Sequence, residues 1–307
     1  MYFKHIIGHQ KQLNILGKDL ETDNLAHAYL LAGPADLGKF TIAKALAKTI
    51  QTWELDEEKA FQVSNMIDKG IHSDTLIHST NAEDPSIKIS HIRSILGNLQ
   101  MTGDSEKRIL VMEDIDRMTD EAANAMLKML EEPPSKVLFI FTSSNPKAIL
   151  ETILSRVRIV DFAVLEQDQL ERGLANRFRL LDGNQIKKVA DLSMGRVAKS
   201  IKLLENGEML EAYENVYNQI RGFLQNHDVA SAFGFISQIH SDVLLTKIFL
   251  EIAFVVLREN LKQGLVSGQN ETTTKDIMRL ESLFDVQKLS ETNVNNRLLL
   301  ENFILSL

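Results

Sequence analysis

The run Gly33-Pro34-Ala35-Asp36-Leu37-Gly38-Lys39-Phe40 has the spacing of a phosphate-binding loop up to its last position. In the pattern G-x-x-x-x-G-K-[ST], backbone N–H groups cradle phosphates, the lysine reaches the terminal phosphates and the hydroxyl holds Mg²⁺. Phe40 stands where the hydroxyl belongs and cannot ligate a metal. Thr41 comes one residue late, about 100° further round a helix, and does not substitute. Asp36 adds a carboxylate among the phosphate-facing positions, where like charges repel. The spacing alone turns up by accident in roughly one chain of this length in ten, so its weight comes from context. It follows an apolar run at residues 28–32 and opens a helical pattern, which turns amide donors at a positive helix end toward an anion. Gly33, Gly38 and Lys39 therefore outline a nucleotide site in which ATP binding stays open and hydrolysis is not expected.

A second acidic element follows the apolar residues 109–112: Glu113-Asp114-Ile115-Asp116. A hydrolytic site of this type keeps an Asp for Mg²⁺ and then a Glu to activate water. Both carboxylates are present in exchanged order, and an Asp at the base position is one methylene short. A displacement of about 1 Å can cost about 100-fold in rate. Solvated acids after a buried strand would read the same way.

These residues need a scaffold, and the chain of 307 residues is long enough for two or three domains with a real core. Apolar residues make up 44% and charged residues 25%, the mix of a soluble globular chain. The net charge of −8 argues against a stand-alone DNA-binding module and leaves room for a local basic patch in an assembly. With no cysteine, the chain has no disulfides, cysteine zinc ribbons or thiol catalysis. No signal-type run follows the N-terminus and no stretch reaches the roughly 18 apolar residues of a membrane span, so a cytoplasmic protein is expected.

Apolar β-rich runs at residues 28–32, 108–112, 137–141 and 157–160, with a weaker one at 75–77, alternate with helical spacing at 41–50, 89–99 and 121–132. Thr119 caps the last of these helices and Pro133-Pro134 stops it. The fold class is α/β: a P-loop domain with a central parallel sheet over residues 1–160. Three short helices, separated by Asp182-Gly183-Asn184 and Ser193-Met194-Gly195, form a small helical lid domain over 161–207. Residues 208–307 read as a C-terminal helical bundle, with amphipathic runs such as 243–257 and a polar interruption at 264–275.

Three segments carry a resemblance to a known family. Leu25-Ala26-His27-Ala28-Tyr29-Leu30-Leu31-Ala32-Gly33-Pro34 is similar to the approach L-x-H-A-Y-L-F-x-G-P. Asn124-Ala125-Met126-Leu127-Lys128-Met129-Leu130-Glu131-Glu132-Pro133-Pro134 is nearly N-A-L-L-K-x-L-E-E-P-P. Thr152-Ile153-Leu154-Ser155-Arg156-Val157 looks like T-I-x-S-R-C. Together they resemble the clamp-loader branch of the AAA+ family. Gly8, residues 89–93 and Gly195-Arg196 also fall at matching places, so the motifs cover about residues 1–205. The last third matches only in length and helical character.

The resemblance implies a ring-like assembly in which the Ser-Arg element of one subunit reaches the ATP site of its neighbour. Ser155 and Arg156 would supply that element in trans. The alternative is a structural arginine pairing with Glu151 or Asp161. Glu113 and Asp114 would belong to the chain's own degenerate nucleotide site. Arg196 stands where the lid carries a phosphate-sensing arginine, or else packs against the main domain. The implied partners are motor subunits of the gamma/tau type, a delta subunit, the sliding clamp, and primed DNA through the assembled complex, with no membrane. No cofactor is certain, and any polymerase activity would belong to another subunit of the holoenzyme. An active clamp-loader ATPase of gamma/tau type stays open as the alternative. The helices of the last third would form an oligomerising collar through Phe249, Phe254, Val255 and Leu257, although a plain core gives the same stripes.

One departure is plain. The family's insert carries four zinc-binding cysteines, and Glu58, Phe61 and Ser64 occupy three of those places here. No zinc is therefore expected. His72 beside Asp74 reads as a local hydrogen-bonding residue, and the insert is expected to be held by apolar packing through Trp53, Phe61 and Ile67.

Overall fold

The computed structural model describes residue 3 and residues 5–80, 86–99, 107–133, 137–226, 229–267, 270–290 and 296–306. The chain divides into two compact units, residues 1–179 with 195–199, and residues 180–194 with 200–307.

The first unit runs α1 (Gln10–Glu21), β1 (Ala28–Ala32), α2 (Lys39–Thr52), α3 (Glu57–Asp68), β2 (Thr75–His78), α4 (Ile89–Leu99) and β3 (Arg108–Met112). A 3₁₀ turn at Ile115–Arg117 leads to α5 (Asp120–Glu131), β4 (Val137–Ser143), α6 (Glu151–Leu154), β5 (Arg158–Asp161) and α7 (Gln167–Arg177). The strands form one sheet in the order β2-β3-β4-β1-β5, with every pairing parallel.

A parallel sheet is covered on both faces, which is why its strands read as unbroken apolar runs. Side chains alternate between the two layers. Tyr29 and Leu31 of β1 pack with Leu16 of α1 and Ile42 and Leu46 of α2. Ala28, Leu30 and Ala32 pack with Ile92 of α4, Met126 of α5 and Ile153 of α6. The Thr119 hydroxyl accepts from Ala122 N–H at 3.3 Å and starts α5 as its cap. Pro134, expected to help stop this helix, lies outside the described residues.

The insert departs from expectation. Ile67 is fully buried, but Trp53 is 42% and Phe61 69% exposed. Phe61 sits on the outer side of α3, so the insert is held by Ile67 and by the Lys48–Asp68 ion pair at 2.5 Å. His72 Nδ1 lies 3.1 Å from Thr75 Oγ1, a local partner, and burial pushes its pKa down against the pull of Asp74.

The second unit contains α8 (Gly183–Ser193), the later part of α9 (Val197–Glu205), α10 (Gly207–Asn226), α11 (Val229–Ile239), α12 (Val243–Ser267), α13 (Asn270–Ser290) and α14 (Asn296–Ser306). Hydroxyls of Tyr213 and Tyr217 on α10 donate to Glu251 and Glu259 on α12, both at 2.8 Å. Phe249, Val255 and Leu257 lie in the bundle's own core, and Phe254 is half-buried against Phe284 at 5.8 Å. The stripe expected to oligomerise the chain is thus largely used to fold it. The polar stretch at 264–275 is mostly helical, because polar side chains are tolerated on the solvent side of a helix. Among the described residues no helix is long and apolar enough to cross a membrane.

Candidate functional site

The phosphate-type loop leaves the C-terminal end of β1, next to the end of β4, where ligands bind in open α/β sheets. Gly33 has φ 144°, and a Cβ there would collide with the Phe162 carbonyl oxygen. Only glycine fits this close approach of β5's exit to the loop. Asp36 adopts the left-handed conformation at φ 60°, and its carbonyl accepts from Ala198 N–H at 2.9 Å. The loop is therefore braced by the 195–199 segment of its own unit. Gly38 closes it at φ 87° as the residue before α2.

Lys39 is only 5% exposed, and its ammonium donates to the loop's own Gly33 and Pro34 carbonyls at 2.7 and 2.6 Å. Burial pushes its pKa down, opposed by Asp114, Asp116, Asp36 and Glu113 in that order. The Phe40 ring packs on the α1/α2 side of the core, with Lys44 Nζ 5.1 Å above it, while Thr41 is exposed. Neither side chain offers a metal-ligating oxygen to the loop.

The acidic turn lies at the end of β3. Glu113 Oε2 accepts from Thr80 N–H at 3.2 Å. Asp114 sits at φ 47° and ψ 58°, where its N–H donates to Thr142 Oγ1 at 3.0 Å and its Oδ1 accepts from Ser144 Oγ at 3.4 Å. Asp116 Oδ1 accepts from Ser144 N–H at 3.1 Å. Burial and the neighbouring Asp116 hold the Asp114 pKa above the usual carboxylate range, against Lys39 and Arg117. The structure thus gathers Gly33, Gly38, Lys39, Glu113 and Asp114 at one sheet edge. As a set they do not fit a hydrolytic Mg²⁺-ATP centre: the hydroxyl ligand is missing, the lysine is bound to loop carbonyls, and the carboxylates are tied to Ser144 and Thr80.

Ser155 and Arg156 lie elsewhere. They precede β5, whose Arg158 pairs with Tyr29 and whose Asp161 pairs with Ala32, so they stand at the N-terminal edge of the sheet. Strand β5 separates them from the loop's edge by on the order of 13 Å at about 3.3 Å per residue. Arg156 Nη1 donates to the Thr152 carbonyl at 2.9 Å and Ser155 Oγ at 3.2 Å, and Nη2 lies 2.8 Å from Glu131 Oε1. Its carboxylate partner is Glu131, not the Glu151 or Asp161 that the sequence offered. Arg196 is half-buried in the 195–199 segment that belongs to the first unit. There Gly195, at φ 79°, packs against the Leu165 carbonyl.

The family model described as DNA polymerase III, delta subunit, matches residues 8–166. The chain belongs to the DNA polymerase III delta subunit family. It is 27% identical to the DNA polymerase III subunit delta' of Bacillus subtilis over 320 aligned residues, covering 96% of this chain and 94% of that one. It is also 30% identical over 211 residues to the gamma/tau subunit of Mycoplasma genitalium, covering 66% of this chain and 35% of that one. A Thermotoga maritima protein described as related to the DNA polymerase III gamma subunit shares the fold, with a TM-score of 0.50 at 19% identity over 94% of this chain and 97% of that one. The fold is a parallel α/β domain with a phosphate-type loop, followed by helices, and the chain is a DNA polymerase III clamp-loader-family subunit. The segment matched to the delta subunit family holds the loop, the acidic turn and Arg156; Arg196 lies beyond it.

Sequence reasoning missed several residues of this delta subunit family member. Asp116, Thr142 and Ser144 organise the acidic turn, and the D-x-D spacing of Asp114 and Asp116 was the available signal. His9 is buried, with its ring 5.1 Å from Phe162, and burial pushes its pKa down against the Leu37 carbonyl. Its place beside Gly8 was the only hint. Glu131 lay inside a recognised motif with no role attached.

Proposed function

We propose that this chain is a delta'-type subunit of the DNA polymerase III clamp loader that does not itself hydrolyse ATP and supplies Arg156 to a neighbouring motor subunit. The observation that carries this reading is the split between the two sheet edges. At the loop's edge the hydroxyl ligand is replaced by a packed Phe40 and Lys39 is bound to its own loop. At the opposite edge Arg156 is partly exposed, with 35% of its side chain accessible, and stands too far from its own loop to serve it. In this reading the arginine acts on another chain's nucleotide. There it would stabilise charge on the transferring phosphoryl group, an effect of about 10³ to 10⁵ in rate.

The partners in this reading are gamma/tau motor subunits and a delta subunit, with the sliding clamp and primed DNA as the objects of the assembled cytoplasmic complex. Arg196 would then brace the loop rather than sense a phosphate. The similarity to gamma/tau sequences supports one rival, an active ATPase subunit.

Purified chain with Mg-ATP, alone and then mixed with motor subunits, separates the two. Hydrolysis by the isolated chain that disappears in Lys39→Ala would defeat the proposal. Silence of the isolated chain, with clamp- and DNA-stimulated turnover of the complex that falls in Arg156→Ala, supports it.

A further inference from the structure

We infer that Glu131 is a positioning residue for Arg156, fixing the plane of its guanidinium so that the remaining donors face outward in one direction. The inference rests on the reading of Arg156 as a trans-acting arginine.

The geometry begins with donor arithmetic. A guanidinium has five N–H donors in a rigid plane. Both Nη1 donors are accounted for by Thr152 O and Ser155 Oγ, and one Nη2 donor by Glu131 Oε1, which leaves Nε–H and one Nη2–H. Thr152 and Ser155 belong to the arginine's own turn and move with it. Glu131 is the last residue of α5, a helix packed into the sheet through Met126, Met129 and Leu130, so it is the partner that refers the guanidinium to the rigid core. The chain beyond Arg156 is anchored as well: Arg158 Nη1 lies 2.7 Å from the buried carboxylate of Asp19, which also accepts from the Tyr29 hydroxyl at 2.9 Å. Among the described residues, Glu131 is the one tie from another element on the arginine itself.

The position of Glu131 is locally unfavourable. Carboxylates are disfavoured in the last turn of a helix, where the macrodipole is negative, yet Glu131 ends α5 and Glu132 follows it. Residues that break a local rule without a stability gain concentrate at functional sites. Arg156 supplies the missing compensation. The pair is partly open, with 51% of the Glu131 side chain and 35% of the Arg156 side chain accessible, so it orients more than it stabilises.

The test uses the assembled clamp loader, with the motor subunits' own Ser-Arg arginines changed to alanine so that Arg156 is the one arginine acting in trans. ATP turnover is measured with clamp and primed DNA. Glu131→Ala is expected to lower kcat by about tenfold, within the range a misplacement of about 1 Å can reach, with KM for ATP unchanged. Glu131→Gln, which keeps an acceptor oxygen at the same reach, should recover most of the loss. An unchanged thermal midpoint for the Glu131→Ala chain shows that folding is not the cause. Unchanged kcat in Glu131→Ala while Arg156→Ala collapses turnover would overturn the positioning role alone. A rise in turnover, or Gln performing no better than Ala, would overturn it too. Unchanged turnover in Arg156→Ala removes the trans-acting reading and this inference together.

Discussion

The two edges of one parallel sheet have taken opposite courses. At the C-terminal edge, groups of the kinds that elsewhere handle phosphate and metal are turned on one another: lysine to loop carbonyls, Asp114 and Asp116 to Ser144, Glu113 to Thr80. Phe40 has joined the core. At the N-terminal edge Arg156 has two donors left over from these contacts and about a third of its side chain accessible. Under the proposed function, the contrast teaches that a binding loop can persist as a brace once its chemistry is gone. Its backbone still has to connect β1 to α2 whatever it binds.

The largest effect should come from the N-terminal edge. Arg156→Ala is expected to lower turnover at the site it completes by about 10³ to 10⁵, measured as clamp- and DNA-stimulated ATP hydrolysis by the complex. A loss below tenfold would end the contrast between the edges. Gly33→Ala should cost about 3 kcal/mol in urea unfolding, because a side chain at this positive φ strikes a backbone carbonyl. A loss under about 1 kcal/mol would mean that the loop is not a brace.

The third prediction concerns the network of Asp19, Tyr29 and Arg158 at the N-terminal edge. Burial, with Asp19 as a hydrogen-bond partner, raises the Tyr29 pKa to about 12. The unfolded value is about 10, so the neutral phenol's contribution is complete below pH 10 and is lost as pH rises through 12, about 2 to 3 kcal/mol in all. Stability of the unsubstituted chain should therefore fall more steeply between pH 10 and 12 than that of Tyr29→Phe. Parallel slopes would show that the network does not hold the phenol neutral. The smallest effect is set for Phe40→Thr, which should leave the isolated chain without ATP turnover and cost about 1 to 2 kcal/mol of lost packing. Turnover gained by this one change would mean that the acidic turn is still competent.

Much of this was legible in the residues. Strands buried on both faces must be apolar throughout, so β1, β3 and β4 announced themselves, and Thr119 marked the start of α5 because a cap is a local event. Phe40 and the exchanged Glu113-Asp114 pair could be read as losses because a missing functional group is visible in sequence. What lay hidden depended on facing. Periodicity identified Phe249, Val255 and Leu257 as apolar but could not say whether their partners lay within the chain or outside it. Trp53 and Phe61 were apolar and exposed, a combination that no residue type declares. Glu131 and Arg156 stand 25 positions apart, and only the packing of α5 beside the turn before β5 brings them to 2.8 Å.

A parallel sheet has a head and a tail, and that polarity gives the first unit a direction. In head-to-tail association each junction joins unlike surfaces, a donating one and a receiving one. Under the proposed function this chain can donate at its tail and has nothing to be acted upon at its head. Placed in such a row, it would break the relay at one junction only, leaving the assembly with fewer working sites than subunits and a built-in seam.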